Sequence, residues 1–297
     1  MEGARLGIDD PTVLTQVINL VDQLRLDQAD ADTKGDLFEH VLKQISQAGE
    51  LGQFRTPRHV IRAVVAMIDP QIGETVYDPA AGTAGFLVAA YDHIRLNNSS
   101  PNAVETVELD GKPVRRGHGD RLSAAKWVIL GHHSFYGNDV DLKMVHLATM
   151  NLTLRGLPNV RIRRRNVLTT SLDAQQKADL GLPPEGFHVI LANPPFSGRV
   201  DKDRIVDDVK VGSTTATELL FIKYMLDSLK PPSADGGHGL SPSPSTGEGR
   251  GGGAMNCGRC GVIVPEGVLF GSTGAHKELR RQLIENNRVE AVLSLPG

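Results

Sequence analysis

The chain has 297 residues, a formal charge of −3 at pH 7, 40% hydrophobic and 23% charged residues, which excludes a disordered chain, a collagen and a disulfide-dense secreted module. A pI of about 6.4 and 4% aromatic residues give no global cationic excess and no wall of stacking rings to mark a nucleic-acid binder. Two cysteines, no signal peptide and no apolar run near the roughly 18 residues of a membrane span point to a reducing, cytoplasmic setting without membrane contact.

Residues 1–50 read as helical. Val17, Leu20, Val21 and Leu24 follow a 3/4 spacing, as do Leu37, Val41 and Ile45, with a polar connection at Asp27–Gly35 between them. From Gln53 onward short apolar runs alternate with amphipathic stretches. Strands are expected at Glu74–Tyr77, Ser134–Gly137, His188–Ala192, Gly261–Pro265 and Val289–Leu295. Helices are expected up to Leu96, through Val145, Ala148 and Leu152, through Leu219, Ile222, Leu226 and Leu229, and over Ala275–Asn286. This alternation predicts an α/β fold with a doubly wound, mostly parallel sheet. Two segments interrupt it. Asn97–His133 is longer than a usual connection. Pro231–Asn256 is mostly Gly, Pro and Ser, with Leu240 and Met255 its largest apolar residues. It cannot bury enough surface to offset its ordering entropy, so a disordered insertion is expected there.

Two loops carry chemistry. The first is Asp78-Pro79-Ala80-Ala81-Gly82-Thr83-Ala84-Gly85-Phe86 after a strand. Its glycines let a ligand approach the backbone, and the following helix offers free N–H groups. The spacing fits neither the dinucleotide fingerprint nor the phosphate loop of nucleotide triphosphatases. The second is Asn193-Pro194-Pro195-Phe196, which ends a strand because proline cannot donate to a ladder. An amide beside a carbonyl places two acceptors near one point, next to an aromatic face. That set suits a planar ring bearing an exocyclic amino group.

Together these loops resemble those of the adenine-N6 DNA methyltransferases, and more narrowly the modification (M) subunit of type I restriction–modification systems. Gly52–Arg58, Tyr136–Asp139, Met150–Gly156, Val264–Gly271 and the closing Val292–Gly297 resemble that subunit in the same order, over roughly residues 35 to 297. The resemblance implies a Rossmann-like methyltransferase domain at 51–297, with insertions at 97–133 and 231–256, after a helical region at 1–50. It further implies that the helical region is shortened and that the sheet lacks a strand past Leu-Pro-Gly, leaving Val289–Leu295 an open edge and the chain prone to instability or association.

It also implies S-adenosylmethionine as methyl donor and no metal. Gln53, Phe54, Arg55, Thr56, Pro57 and Arg58 would cover its methionine end. Thr83, Ala84 and Gly85 would line the turn, with Asp78 and Gly82 close by. Asp139 would accept from the ribose hydroxyls, where the family more often has Glu; Asn166 stands where the family commonly has Asp against the cofactor's adenine. Asn193 and Pro194 would take the hydrogens of the target N6, with Pro195 shaping the loop and Phe196 stacking on the base. Implied partners are double-stranded DNA, a specificity subunit and a restriction subunit. Two other readings suit an Asn-Pro-Pro loop: an amino-group methyltransferase acting on protein glutamine or RNA, and a cofactor-binding assembly subunit without turnover. Arg161, Arg163, Arg164 and Arg165 form the strongest basic cluster, a solvated face or a contact for DNA phosphates. Cys257 and Cys260 have metal or redox spacing but no second cysteine pair to complete a zinc site.

Overall fold

The computed structural model describes residues 7–23, 25–47, 56–109, 111–196, 198–232 and 257–295. Gln53, Phe54, Arg55, Leu24 and nearly all of the Gly/Pro/Ser segment lie outside the described residues. Two helices come first, α1 (Pro11–Gln23) and α2 (Ala31–Gln47). The expected connection therefore ends five residues early, since α2 starts at Ala31, where the Asp30 side chain accepts from the Thr33 N–H at 2.7 Å.

The main sheet is built from β1 (Val76–Asp78), β4 (Phe135–Asp139), β5 (Arg161–Arg164), β6 (Val189–Ala192) and β7 (Arg259–Val262). Among the described residues its order is β5-β4-β1-β6-β7, and every pairing is parallel. Helices cover both faces, so the strands are apolar on both sides. Val76, Phe135, Val189 and Leu191 face one core, shared with α3 (Arg58–Ile68), α4 (Gly85–Asn97) and α6 (Leu142–Leu154). Tyr77, Tyr136, Ile190 and Ala192 face the other, shared with α8 (Thr217–Ser228) and with Leu279 of α10 (Gly274–Glu285). The predicted doubly wound sheet is present. Its order reverses between β1 and β6, and open α/β sheets bind ligands at the carboxyl ends flanking such a reversal.

Two elements go beyond the sequence reading, and one reading is corrected. The Asn97–His133 insertion holds a hairpin of β2 (Val104–Leu109) and β3 (Lys112–Gly117), then α5 (Ala124–His133). The Arg161–Arg164 run is an edge strand, which its single buried apolar residue, Ile162, did not signal. Val289–Leu295 is no strand: it joins neither sheet among the described residues, and Val292 and Leu293 are each 62% exposed. Among the described residues no helix is long and apolar enough to cross a membrane.

Candidate active site

The carboxyl ends of β1 and β6 meet at a cleft of about 490 Å3, within the range of small-molecule sites. Thr56, Pro57 and Arg58 line it from the N-terminal approach to α3, Asp78, Gly82, Thr83 and Gly85 from the β1–α4 turn, and Asn193 from the end of β6.

The β1–α4 turn is stitched to its neighbours. The Ala80 N–H donates to the Asp78 carboxylate at 3.0 Å, and the Gly82 N–H to Asp139 at 3.0 Å. The Ala81 N–H donates to the Asn138 carbonyl at 2.9 Å, and buried Asn151 of α6 donates to the Thr83 carbonyl at 2.9 Å. Gly82 has φ +51 and an open space where a Cβ would stand, so only glycine is both unstrained there and leaves the cleft clear. Ala84 holds φ +67 while fully buried. That left-handed alanine stores strain which the surrounding bonds must override, and such strain concentrates at ligand-binding turns.

Asp78 is 2% exposed. Burial pushes its carboxyl up to about 8; the Ala80 N–H opposes the rise and nearby Asp139 adds to it. Burial raises Asp139 as well, although it accepts from the Asp141 and Gly82 N–H groups. Two enclosed carboxyls beside an open turn are suited to a cationic, hydroxyl-bearing ligand.

Asn193 is the most telling side chain. Its Nδ2 donates to Thr56 Oγ1 at 2.7 Å, while its Oδ1 is buried with no partner among the described residues. A buried acceptor left empty costs about 1–3 kcal/mol, and such an atom at a cleft marks a place for a ligand donor. Pro194 is buried; Pro195 and Phe196 are exposed, Phe196 by 38%. The loop is clamped to the start of α8: the Thr217 hydroxyl lies 3.1 Å from the Pro195 carbonyl and 3.0 Å from the Gly198 carbonyl. This leaves the Phe196 ring at the rim.

Some expected residues stand apart from the cleft wall. Asp139 sits behind the turn, bonded to Gly82. Asn166 follows β5 and uses its Oδ1 to accept from the Leu168 N–H at 3.1 Å. Ala84 is enclosed within the turn. Conversely, the sequence reading missed Glu39, Asp92, Arg116 and Arg155, which line the far end of the cleft. Glu39 pairs with Arg58 and, at 3.4 Å, with Arg155. A signal existed: Asp32, Asp36 and Glu39 recur at helical spacing, as one carboxylate stripe along α2. Cys260 lies in β7, where burial pushes its thiol up to about 12, too high for a thiolate at neutral pH. No cluster of three metal-ligating side chains occurs among the described residues.

A family profile described as N-6 DNA Methylase matches residues 29–236 and 253–297. The chain belongs to the N-6 DNA methylase family. Among its relatives is the EcoEI type I restriction enzyme methylase subunit of Escherichia coli, 30% identical over 289 residues, which cover 96% of this chain and 47% of that protein. Of solved structures, the modification subunit of a putative type I restriction enzyme from Vibrio vulnificus YJ016 superposes with TM-score 0.59 at 29% identity, over 84% of this chain and 42% of that one. The M protein of the EcoKI type I restriction enzyme superposes with TM-score 0.53 at 24% identity, over 78% and 38%, which supports the fold. This family member thus spans about half the length of the curated relatives it matches. Its mostly parallel sheet with helices is the Rossmann-like methyltransferase fold.

Proposed function

We propose that the chain carries the catalytic unit of a type I modification subunit, and transfers a methyl group from S-adenosylmethionine to N6 of a flipped adenine in DNA. The observation that carries this reading is the buried, unpartnered Oδ1 of Asn193, ahead of two prolines and an aromatic ring at the sheet reversal. The cleft volume, the turn at Gly82 and the two enclosed carboxyls fit the donor. In this reading Thr56, Pro57 and Arg58, with Gln53, Phe54 and Arg55 before them, cover its methionine end. Asp78, Gly82, Thr83, Ala84 and Gly85 form its cradle, and Asp139 and Asn166 serve the nucleoside end. When bound, S-adenosylmethionine supplies an electrophilic methyl on a sulfonium.

The protein's part is positioning. Adenine N6 is a poor nucleophile because its lone pair is delocalised into the ring. Oδ1 of Asn193 and the Pro194 carbonyl accept the two N6 hydrogens, which favours a pyramidal, nucleophilic nitrogen. Phe196 stacks on the extruded ring, since a duplex hides N6. With the cofactor bound, these contacts would hold the nitrogen for attack on the methyl as the carbon–sulfur bond breaks, and that positioning would supply most of the gain.

DNA grip would be shared. The net charge of −3 is unfavourable for a phosphate-dominated interface, which supports joint binding with a specificity subunit; a restriction subunit would join for cleavage, in the cytoplasm. Arg161, Arg163, Arg164 and Arg165 offer this chain's own phosphate contacts. Arg161 and Arg165 bond to tyrosine hydroxyls, Arg164 to the Val140 carbonyl, and none of the four meets a carboxylate among the described residues. The domain division at 50/51 belongs to the same proposal. Replacing Asn193 by Ala should abolish methyl transfer to DNA with cofactor affinity within a few-fold of the parent; undiminished transfer would overturn the assignment.

A further inference from the structure

We propose that Thr56 is a positioning residue that anchors the Asn193 side chain in the pose from which its amide oxygen meets the substrate. An asparagine amide has an acceptor end and a donor end of nearly equal shape. Only the acceptor end can receive an amino group's hydrogens; the donor end would meet them N–H to N–H. The strand and the prolines that follow hold the backbone of Asn193, but they do not hold its side chain.

Thr56 supplies the anchor. Its Oγ1 accepts from Asn193 Nδ2 at 2.7 Å, and with the amide held so, Oδ1 is buried without a partner among the described residues. Thr56 is itself held from the N-terminal side. Pro57, with φ −57, caps α3, and its carbonyl receives the Ile61 N–H at 3.1 Å. Arg58, next in sequence, is ion-paired with Glu39 of α2, which is 7% exposed. The helical segment before the sheet is thereby joined to the loop that ends β6, 137 residues from Thr56 in sequence.

This inference rests on the proposed function only for its catalytic consequence, so the test has two arms. The first uses the 15N-labelled full chain and follows the Asn193 side-chain amide, assigned by its loss in Asn193→Ala. Thr56→Val should shift that amide pair and speed its hydrogen exchange at least tenfold, while Thr56→Ser preserves both. An unchanged amide pair in Thr56→Val overturns the inference, whatever the enzyme does. The second arm measures methyl transfer to DNA at saturating cofactor. Thr56→Val should lower kcat at least tenfold with KM for DNA within threefold, and Thr56→Ser should recover most of the loss. A loss confined to KM, or one that Thr56→Ser does not recover, overturns it. If the parent chain transfers no methyl group to DNA, the proposed function fails, and the amide arm still decides the role of Thr56.

Discussion

Asp78 shows how one residue links stability to ligand binding. Its carboxyl ends β1 inside the protein, with a single N–H donor to offset its burial. The folded chain therefore keeps a proton that the unfolded chain releases near the ordinary carboxyl value of 3.8. A raised folded value means that stability is fully present below about 4 and is lost as pH rises towards about 8. Asp78→Asn, which cannot ionise, should flatten the decline in melting temperature between pH 5 and 8; an unchanged slope would assign it elsewhere. A cation in the cleft favours the ionised form, so cofactor affinity should rise over the same interval. The two motif loops were legible in the sequence because each is a contiguous string whose chemistry is local. The Asn193–Thr56 bond was not, because only the parallel sheet brings the two together.

Helix α2 shows how an element can be read correctly and still turned the wrong way. Its spacing of Leu37, Val41 and Ile45 foretells a helix, yet Val41 is 43% exposed and the buried positions are Gly35, Glu39 and Leu42. The carboxylate stripe decides the rotation. Asp32 forms a two-bonded pair with Arg95 of α4 at 2.7 and 2.9 Å. Asp36 meets Arg116 of β3 at 2.6 Å and Arg155 at 3.1 Å. Arg155 is 2% exposed, and breaking such enclosed pairs costs about 3–5 kcal/mol, more than one misplaced valine. Gly35 is required by this contact, because a Cβ there would stand 2.5 Å from Arg155 Cγ. Alanine ordinarily stabilises a helix interior by about 0.5–1 kcal/mol relative to glycine. Overpacking of about 1–3 kcal/mol outweighs that, so Gly35→Ala should lower unfolding stability by about 1–2 kcal/mol in denaturant titration. Equal or greater stability would contradict the contact. The hairpin and β5 escaped prediction for the converse reason: their strands are short, charged and half exposed, so no apolar alternation announces them.

At the scale of the molecule, a parallel sheet places two motifs, over a hundred residues apart, on either side of one reversal in strand order. That much followed from the strand–helix rhythm, because buried parallel strands are continuous apolar runs. What the rhythm could not give is how α2 and α3 close the cleft from outside the sheet, since the arginines that meet the carboxylate stripe, Arg58, Arg95, Arg116 and Arg155, are scattered along the chain. The most direct measurement is transfer of isotope-labelled methyl from S-adenosylmethionine to duplex DNA, with and without a specificity subunit, followed by nucleoside analysis. Label recovered only in N6-methyl-2′-deoxyadenosine, and absent with Asn193→Ala, is the expected result. Label in methylcytosine, in protein or in RNA, or none in adenine with the specificity subunit present, would contradict the account.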